Sequence, residues 1–177
     1  MNRRLAQGFD AELTPADRAP VRAVIALGAN LGDRSATLEA AVEELRRLPL
    51  VDEVLASTPV ESIAVKPDGP DAEAPAYLNA VVVLTTRLAP SVLLAFLQAI
   101  EKRYGRERRE RWGDRTLDLD LIAYGTVVSN DAVLTLPHPR AAERDFVLVP
   151  WLSIDADAEL PGQGRVDALL ERLRDPS

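Results

Sequence analysis

Two aspartates one residue apart are the side chains of this sequence best spaced to do chemistry. Asp118 and Asp120 stand in Arg115-Thr116-Leu117-Asp118-Leu119-Asp120-Leu121-Ile122. On a strand, alternate residues share a face. Leu117, Leu119 and Leu121 then point to one side and both carboxylates to the other, with Cα atoms about 7 Å apart. Two carboxylates on one face repel, and one is pushed toward neutrality unless something positive sits between them. A divalent cation is the simplest partner, and two such ions about 3.5–4 Å apart can clamp a transferring phosphoryl group. A solvated strand face with alternating charge has the same spacing, so this motif alone leaves both readings open.

Four further features bear on the choice. The segment from Gly105 to Arg115 carries five arginines in an otherwise acidic chain. Arginine forks match phosphate oxygens, although internal Arg–Glu pairing would also account for them. His138, the single histidine, lies in Leu136-Pro137-His138-Pro139, where flanking prolines are expected to hold the chain extended and the imidazole could donate to a phosphate. Tyr77 and Asn79 share a strand face and offer a stacking plane beside an amide, which suits a flat heterocycle. Glu101 falls in the last turns of a helix, where spacing favours an exposed residue paired with Lys102 or Arg103. Neither a phosphate-binding P-loop nor a dinucleotide glycine fingerprint is present, so a nucleotide here must be held by side chains and metal.

The elements that position these residues follow from periodicity and punctuation. Residues 1–20 are polar and aperiodic and are expected to form a loosely ordered tail, followed by one domain over 21–177. Val21–Leu27 is an apolar, β-branched run that ends at Gly28 and predicts a buried strand. Gly28–Gly32 is a turn, Asp33 a helix cap, and Ala36, Leu38, Ala41, Val42, Leu45 and Leu48 recur at helical spacing. Val51–Val60 predicts a second strand, and 61–76 a long loop with three prolines. Tyr77–Thr86 predicts a third strand, Pro90 to Gly105 a second helix, and Leu117–Tyr124 a fourth strand. Strand, helix, strand, strand, helix, strand is the ferredoxin-like α+β order: a mainly antiparallel sheet with helices expected on one face. A helix-prone stretch around 146–152 and a tail helix near 166–173 follow.

Composition narrows the chemistry. The chain has 177 residues, 47% hydrophobic and 28% charged, with no cysteine and a formal net charge of -7. Thiolate metal sites and disulfides are excluded, and oxygen ligands suit a hard cation such as magnesium. An acidic surface argues against nucleic acid as a partner, and no apolar run approaches a membrane span. A cytoplasmic monomer is expected.

At this point several segments resemble a known family, the 6-hydroxymethyl-7,8-dihydropterin pyrophosphokinases of folate biosynthesis. They are IALGANLGDR (25–34), YLNAVV (77–82), IEKRYGR (100–106), RWGDRTLDLDLIAYG (111–125) and LPHPRAAERDFVLVPW (136–151). The resemblance implies a ferredoxin-like fold, ATP with two magnesium ions, and transfer of the β,γ-pyrophosphate to a pterin hydroxymethyl group with release of AMP. By it, Asp118 and Asp120 are the metal ligands, and Arg106 and Arg115 are catalytic arginines with Arg111 and Trp112 as companions. Gln98, Glu101, Thr135, His138 and Arg144 fall at nucleotide-contacting positions. Tyr77, Asn79 and Phe146 fall at the pterin pocket, with Ser62 and Val65 at its edge. Two other classes compete: a ferredoxin-like module that binds single-stranded RNA through the arginine segment, and an inactive relative kept for protein contacts. The acidic charge weighs against the first, and the intact aspartate pair against the second.

Overall fold

The computed structural model describes residues 15–66, 69–105 and 116–175. Four strands form the path β2 (Val51–Ala56), β6 (Tyr77–Thr86), β1 (Val21–Ala29), β7 (Asp118–Tyr124), every neighbouring pair antiparallel. Strand β3 (Val60–Ser62) also pairs with β6. Because β6 inserts between β1 and β2, the helix joining those two strands makes the split βαβ crossover that the element order predicts.

Alternation assigns each strand residue to a face. Ala23, Ile25 and Leu27 of β1, Ala80, Val82 and Leu84 of β6, and Leu119 and Leu121 of β7 form one core. Helices α1 (Arg34–Arg46) and α2 (Pro90–Arg103) cover it through Leu38, Ala41, Val42 and Leu45, and through Leu93, Leu97 and Ile100. The opposite face is also covered, which corrects the expectation of helices on one face. Val24, Val81, Val83, Ile122 and Ala123 pack there against α3 (Asp145–Ile154) and α4 (Val166–Arg174). The unbroken apolar runs of β1 and β6 carry the reason, since a strand buried on both sides has no polar face to alternate.

Strand β1 runs on through Gly28 and Ala29, which were expected to open the turn, and other expected boundaries shift too. The predicted strand 51–60 breaks after Ala56. Pro59 has no N–H to donate. Buried Ser57 bridges the gap: its N–H donates to the Val81 carbonyl at 2.9 Å, and its Oγ accepts the Val81 N–H at 2.9 Å. The predicted loop 61–76 contains β3 and a hairpin of β4 (Ala64–Lys66) and β5 (Gly69–Asp71). Strands of three residues are too short to register as a period. Of the expected tail, Pro15–Asp17 form one 3-10 turn and residues 1–14 lie outside the described residues.

Candidate active site

The site lies on the face that α3 and α4 cover, at the end of the sheet where that cover stops. Strand alternation puts Tyr77 and Asn79 with Val81 and Val83, Gly28 with Ala26 and Val24, and Asp118 and Asp120 with Ile122. Register then aligns them across three strands. Gly28 stands directly opposite Asn79 on one side and Asp118 on the other, and Ala26 likewise separates Val81 from Asp120. Residues directly opposite share a face, so a side-chain amide and the carboxylate pair flank a glycine, about 10 Å apart over two strand spacings.

Gly28 keeps that row open. A Cβ built on it would meet Asn79 Oδ1 at 3.3 Å and Tyr77 Cδ1 at 3.6 Å. A side chain there would press on the Asn79 amide and touch the Tyr77 ring, so glycine lets both rest close against the β1 backbone. Asn79 is buried, and its Nδ2 donates to Ser62 Oγ at 2.8 Å, with Val60 O at 3.5 Å. The predicted pair and Ser62 therefore make one polar edge, and Ser62 is the β3 residue paired with Tyr77. Val65 sits in β4, paired with Pro70.

The acidic end gathers three further predicted residues around Asp120. Arg144 Nη1 donates to Asp120 Oδ2 at 3.3 Å, and its guanidinium carbon stands 5.7 Å from the centre of the Phe146 ring. Phe146, in the first turn of α3, packs against the core below. His138 Nε2 lies 3.9 Å from Asp120 Oδ2. The Arg140 backbone N–H donates to His138 Nδ1 at 3.2 Å, which leaves the ring proton on Nε2, facing the carboxylate. The prolines do not hold this segment extended as expected. Leu136–Pro137 is cis, and a turn begins at His138, whose carbonyl accepts the Ala141 N–H at 3.0 Å.

Asp120 titrates above its ordinary range. Burial is the main cause and the Asp118 charge the second; His138 and Arg144 oppose them. The carboxylate keeps 32% of its side-chain surface reachable, so it sits in a recess open at one side, where a cation can enter. Burial also lowers His138, against the attraction of Asp120, so the imidazole is neutral at pH 7. Among the described residues no cluster of three or more histidine, cysteine or acidic side chains forms a closed metal cage. Two carboxylates fit magnesium, which takes one or two protein carboxylates and completes its shell with water and substrate phosphates.

The remaining predicted residues are placed less centrally. Glu101 is not exposed as its spacing suggested. It is 1% accessible and accepts the Leu119 N–H at 2.8 Å through Oε1. It lies on the far side of the sheet from the aspartates, holding the strand residue between them. Gln98 is exposed on α2, also on that far side. Thr135, in β9 (Thr135–Leu136), donates its hydroxyl to the Asp131 carbonyl at 3.0 Å. Arg106, Arg111, Trp112 and Arg115 lie outside the described residues. A surface hollow of about 430 Å³ between the start of α1 and Tyr104 includes neither aspartate in its lining. Sequence reading missed Gly28, taken only as the end of a strand, and Arg34, whose contacts are described below. For Gly28 the signal was its place in register with the other strands, which appears only once they pair.

Comparison with known proteins decides the family. Residues 24–156 match the profile of the family described as 7,8-dihydro-6-hydroxymethylpterin-pyrophosphokinase. The chain belongs to this family. A pyrophosphokinase of Haemophilus influenzae is 39% identical over 155 residues, 88% of this chain and 94% of that protein. One of Mycobacterium leprae is 43% identical over 166 residues, 86% of this chain and 83% of that protein. Both are named 2-amino-4-hydroxy-6-hydroxymethyldihydropteridine pyrophosphokinase. Among solved structures, the HPPK-DHPS A437G protein of Plasmodium falciparum superposes with a TM-score of 0.67 at 12% identity, covering 93% of this chain. That likeness bears on the fold. This chain spans 48% of that longer protein.

Proposed function

We propose that this pyrophosphokinase moves the β,γ-pyrophosphoryl group of ATP to the hydroxymethyl oxygen of 6-hydroxymethyl-7,8-dihydropterin, giving the pterin diphosphate and AMP. The observation that carries this reading is the row Asn79, Gly28, Asp118. It puts an amide able to read a heterocycle edge about two strand spacings, roughly 10 Å, from a carboxylate pair able to hold phosphate-bound cations. A flat pterin lying over Gly28 would reach from Asn79 with its ring and toward Asp118 with its hydroxymethyl arm.

Each residue then has a task. Asn79, fixed by Ser62, exchanges hydrogen bonds with the ring edge. Tyr77 and Phe146 supply the aromatic surfaces around the ring. Asp118 and Asp120 are the side chains that would hold the two magnesium ions. When bound, magnesium neutralises phosphate charge and lowers the pKa of the attacking hydroxyl. His138, with its proton on Nε2, and Arg144 face the same space and can donate to phosphate oxygens. Arg144 also rests against Phe146, so one side chain touches both halves of the site. Arg106 and Arg115, with Arg111 and Trp112 as companions, are proposed to neutralise charge on the leaving group, and Thr135 to complete the nucleotide side, with Gln98 and Glu101 contributing only to a nucleotide that passes round the β7 edge. Ser62 and Val65 border the pterin edge. Transfer is then a matter of alignment and charge rather than covalent catalysis.

In the same reading the chain works as a monomer in the cytoplasm, without a nucleic-acid partner. The net charge of -7 supports the last point, and no described helix is long and apolar enough to cross a membrane. Product analysis tests the reaction. ATP, magnesium and the reduced hydroxymethylpterin should give AMP and the pterin diphosphate in equal amounts. ADP as the nucleotide product would mean single-phosphoryl transfer and would refute the reading.

A further inference from the structure

Arg34 opens helix α1, yet its side chain leaves the helix and bridges two other segments. Nη1 donates to the Ala76 carbonyl at 2.7 Å, and Nη2 pairs with Glu61 Oε1 at 2.9 Å. Ala76 immediately precedes Tyr77, the first residue of β6. Glu61 immediately precedes Ser62, the β3 residue that accepts from Asn79 and pairs with Tyr77. One guanidinium therefore contacts both residues next to the Ser62–Tyr77 pair, Ala76 at its backbone carbonyl and Glu61 at its side chain.

The need for such a bridge follows from local structure. Strand β3 has three residues and pairs with β6 through Val60–Asn79, Glu61–Leu78 and Ser62–Tyr77. So short a ladder fixes little on its own. On one side of it the chain enters the β4–β5 hairpin, and on the other Pro59 interrupts the edge. Asn79 reaches β3 by hydrogen bonds from within the site, and Arg34 reaches its Glu61 carboxylate from the helix behind it. The Arg34 side chain is 30% exposed against 65% for Glu61, so the carbonyl arm dominates and the ion pair adds little.

We propose that Arg34 is a positioning residue for the pterin side of the site, fixing where β6 begins, and so how Tyr77 stands against Ser62, chiefly through its hydrogen bond to the Ala76 carbonyl. This rests on the pterin pocket proposed above. Arg34 touches no reacting atom in this arrangement. It acts through Ala76 on the point where β6 begins, and so on Tyr77 and on the Ser62 paired with it. A planar fork can satisfy both acceptors together, whereas a lysine ammonium on its flexible stem cannot hold the same two directions at once.

The test is steady-state kinetics of the full chain with KM resolved for each substrate. Arg34→Ala should raise the pterin KM about tenfold or more, the scale set by losing one charge-assisted hydrogen bond. The ATP KM should stay unchanged and kcat within about twofold, because the phosphate end is untouched. Arg34→Lys should fall between wild type and Arg34→Ala, and Glu61→Ala should raise the pterin KM less than about twofold. Thermal unfolding is recorded beside each variant. A lowered Tm with an unchanged pterin KM would make Arg34 a plain structural staple and overturn the proposal. So would an equal rise in both KM values, or a fall in kcat alone. If Arg34→Ala does not fold, Arg34→Lys decides on the same criteria. Wild-type protein that turns over ATP without using the pterin would sink the pocket assignment instead, which separates the two failures.

Discussion

Asp120 is pulled in two directions. Burial and the Asp118 charge favour its neutral form, while His138 and Arg144 favour the anion, and the balance leaves its pKa raised. A cation needs the anion, so binding strengthens as pH rises through that pKa and is lost as pH falls below it. Arg144→Ala removes one opposing cation and should lift the pKa further. The acid limb of the kcat/KM profile should then move to higher pH, with activity falling more on the acid side than on the plateau. An unmoved limb, or one displaced to lower pH, would contradict the assignment. Much of this was legible from residues alone: the two-residue strand period puts Asp118 and Asp120 together whatever the fold. The neighbours of Asp120 were not, since His138 and Arg144 come from distant loops that only tertiary packing brings near. Nor was the turn at His138, because flanking prolines fix φ without fixing where the next residues go.

At the scale of elements, β7 is an edge strand with an outward row of backbone groups. Unpaired edges need cover, and two predicted site residues supply it. Glu101 accepts the Leu119 N–H, and the His138 backbone N–H donates to the Ile122 carbonyl at 2.8 Å. The first contact fixes the residue between the two aspartates. The second attaches the imidazole-bearing loop beside them, where the β1–β7 register shifts. Glu101→Ala should leave a buried N–H without its acceptor. The expected cost is about 1–3 kcal/mol, or a Tm lower by several degrees. Glu101→Gln keeps an acceptor oxygen and should lose less. Equal stability of Glu101→Ala and wild type by thermal unfolding would contradict this role. The sequence did hold the clue: Leu93, Leu97, Ile100 and Glu101 fall at i, i+4, i+7 and i+8, the apolar stripe of α2. A carboxylate on that stripe is a buried one, and the neighbouring Lys102 and Arg103 obscured it. The hairpin β4–β5 had no comparable signal, because three-residue strands interrupted by prolines carry no period.

For the whole molecule, one sheet serves two cores. Strands β1 and β6 give alternate residues to the layer under α1 and α2 and to the layer under α3 and α4. Neither layer can come apart without exposing the other's strands, so residues 21–177 should unfold as one cooperative unit. Leu148 in α3 is fully buried. Leu148→Ala should cost about 2–5 kcal/mol and shift a single transition, followed by calorimetry and by circular dichroism. A second transition, or loss of α3 and α4 alone, would divide the chain into separate units. The strand and helix order was legible from periodicity, and so was the ferredoxin-like core. The two helices of the second layer were legible as well, but their place on the other face of the sheet was not, although the unbroken apolar runs of β1 and β6 implied it. That layer matters for function: where it stops, Asn79, Gly28 and the half-buried aspartates meet at the end of the sheet beside the start of α3.

The central claim is that Asp118 and Asp120 together hold the cations that make pyrophosphoryl transfer possible. The direct test is the initial rate of AMP release from ATP and 6-hydroxymethyl-7,8-dihydropterin by Asp118→Ala and Asp120→Ala, with folding checked by circular dichroism. Both variants should keep the fold and lose about two orders of magnitude or more in rate. A well-folded variant of either kind that releases AMP at near wild-type rate would contradict the claim.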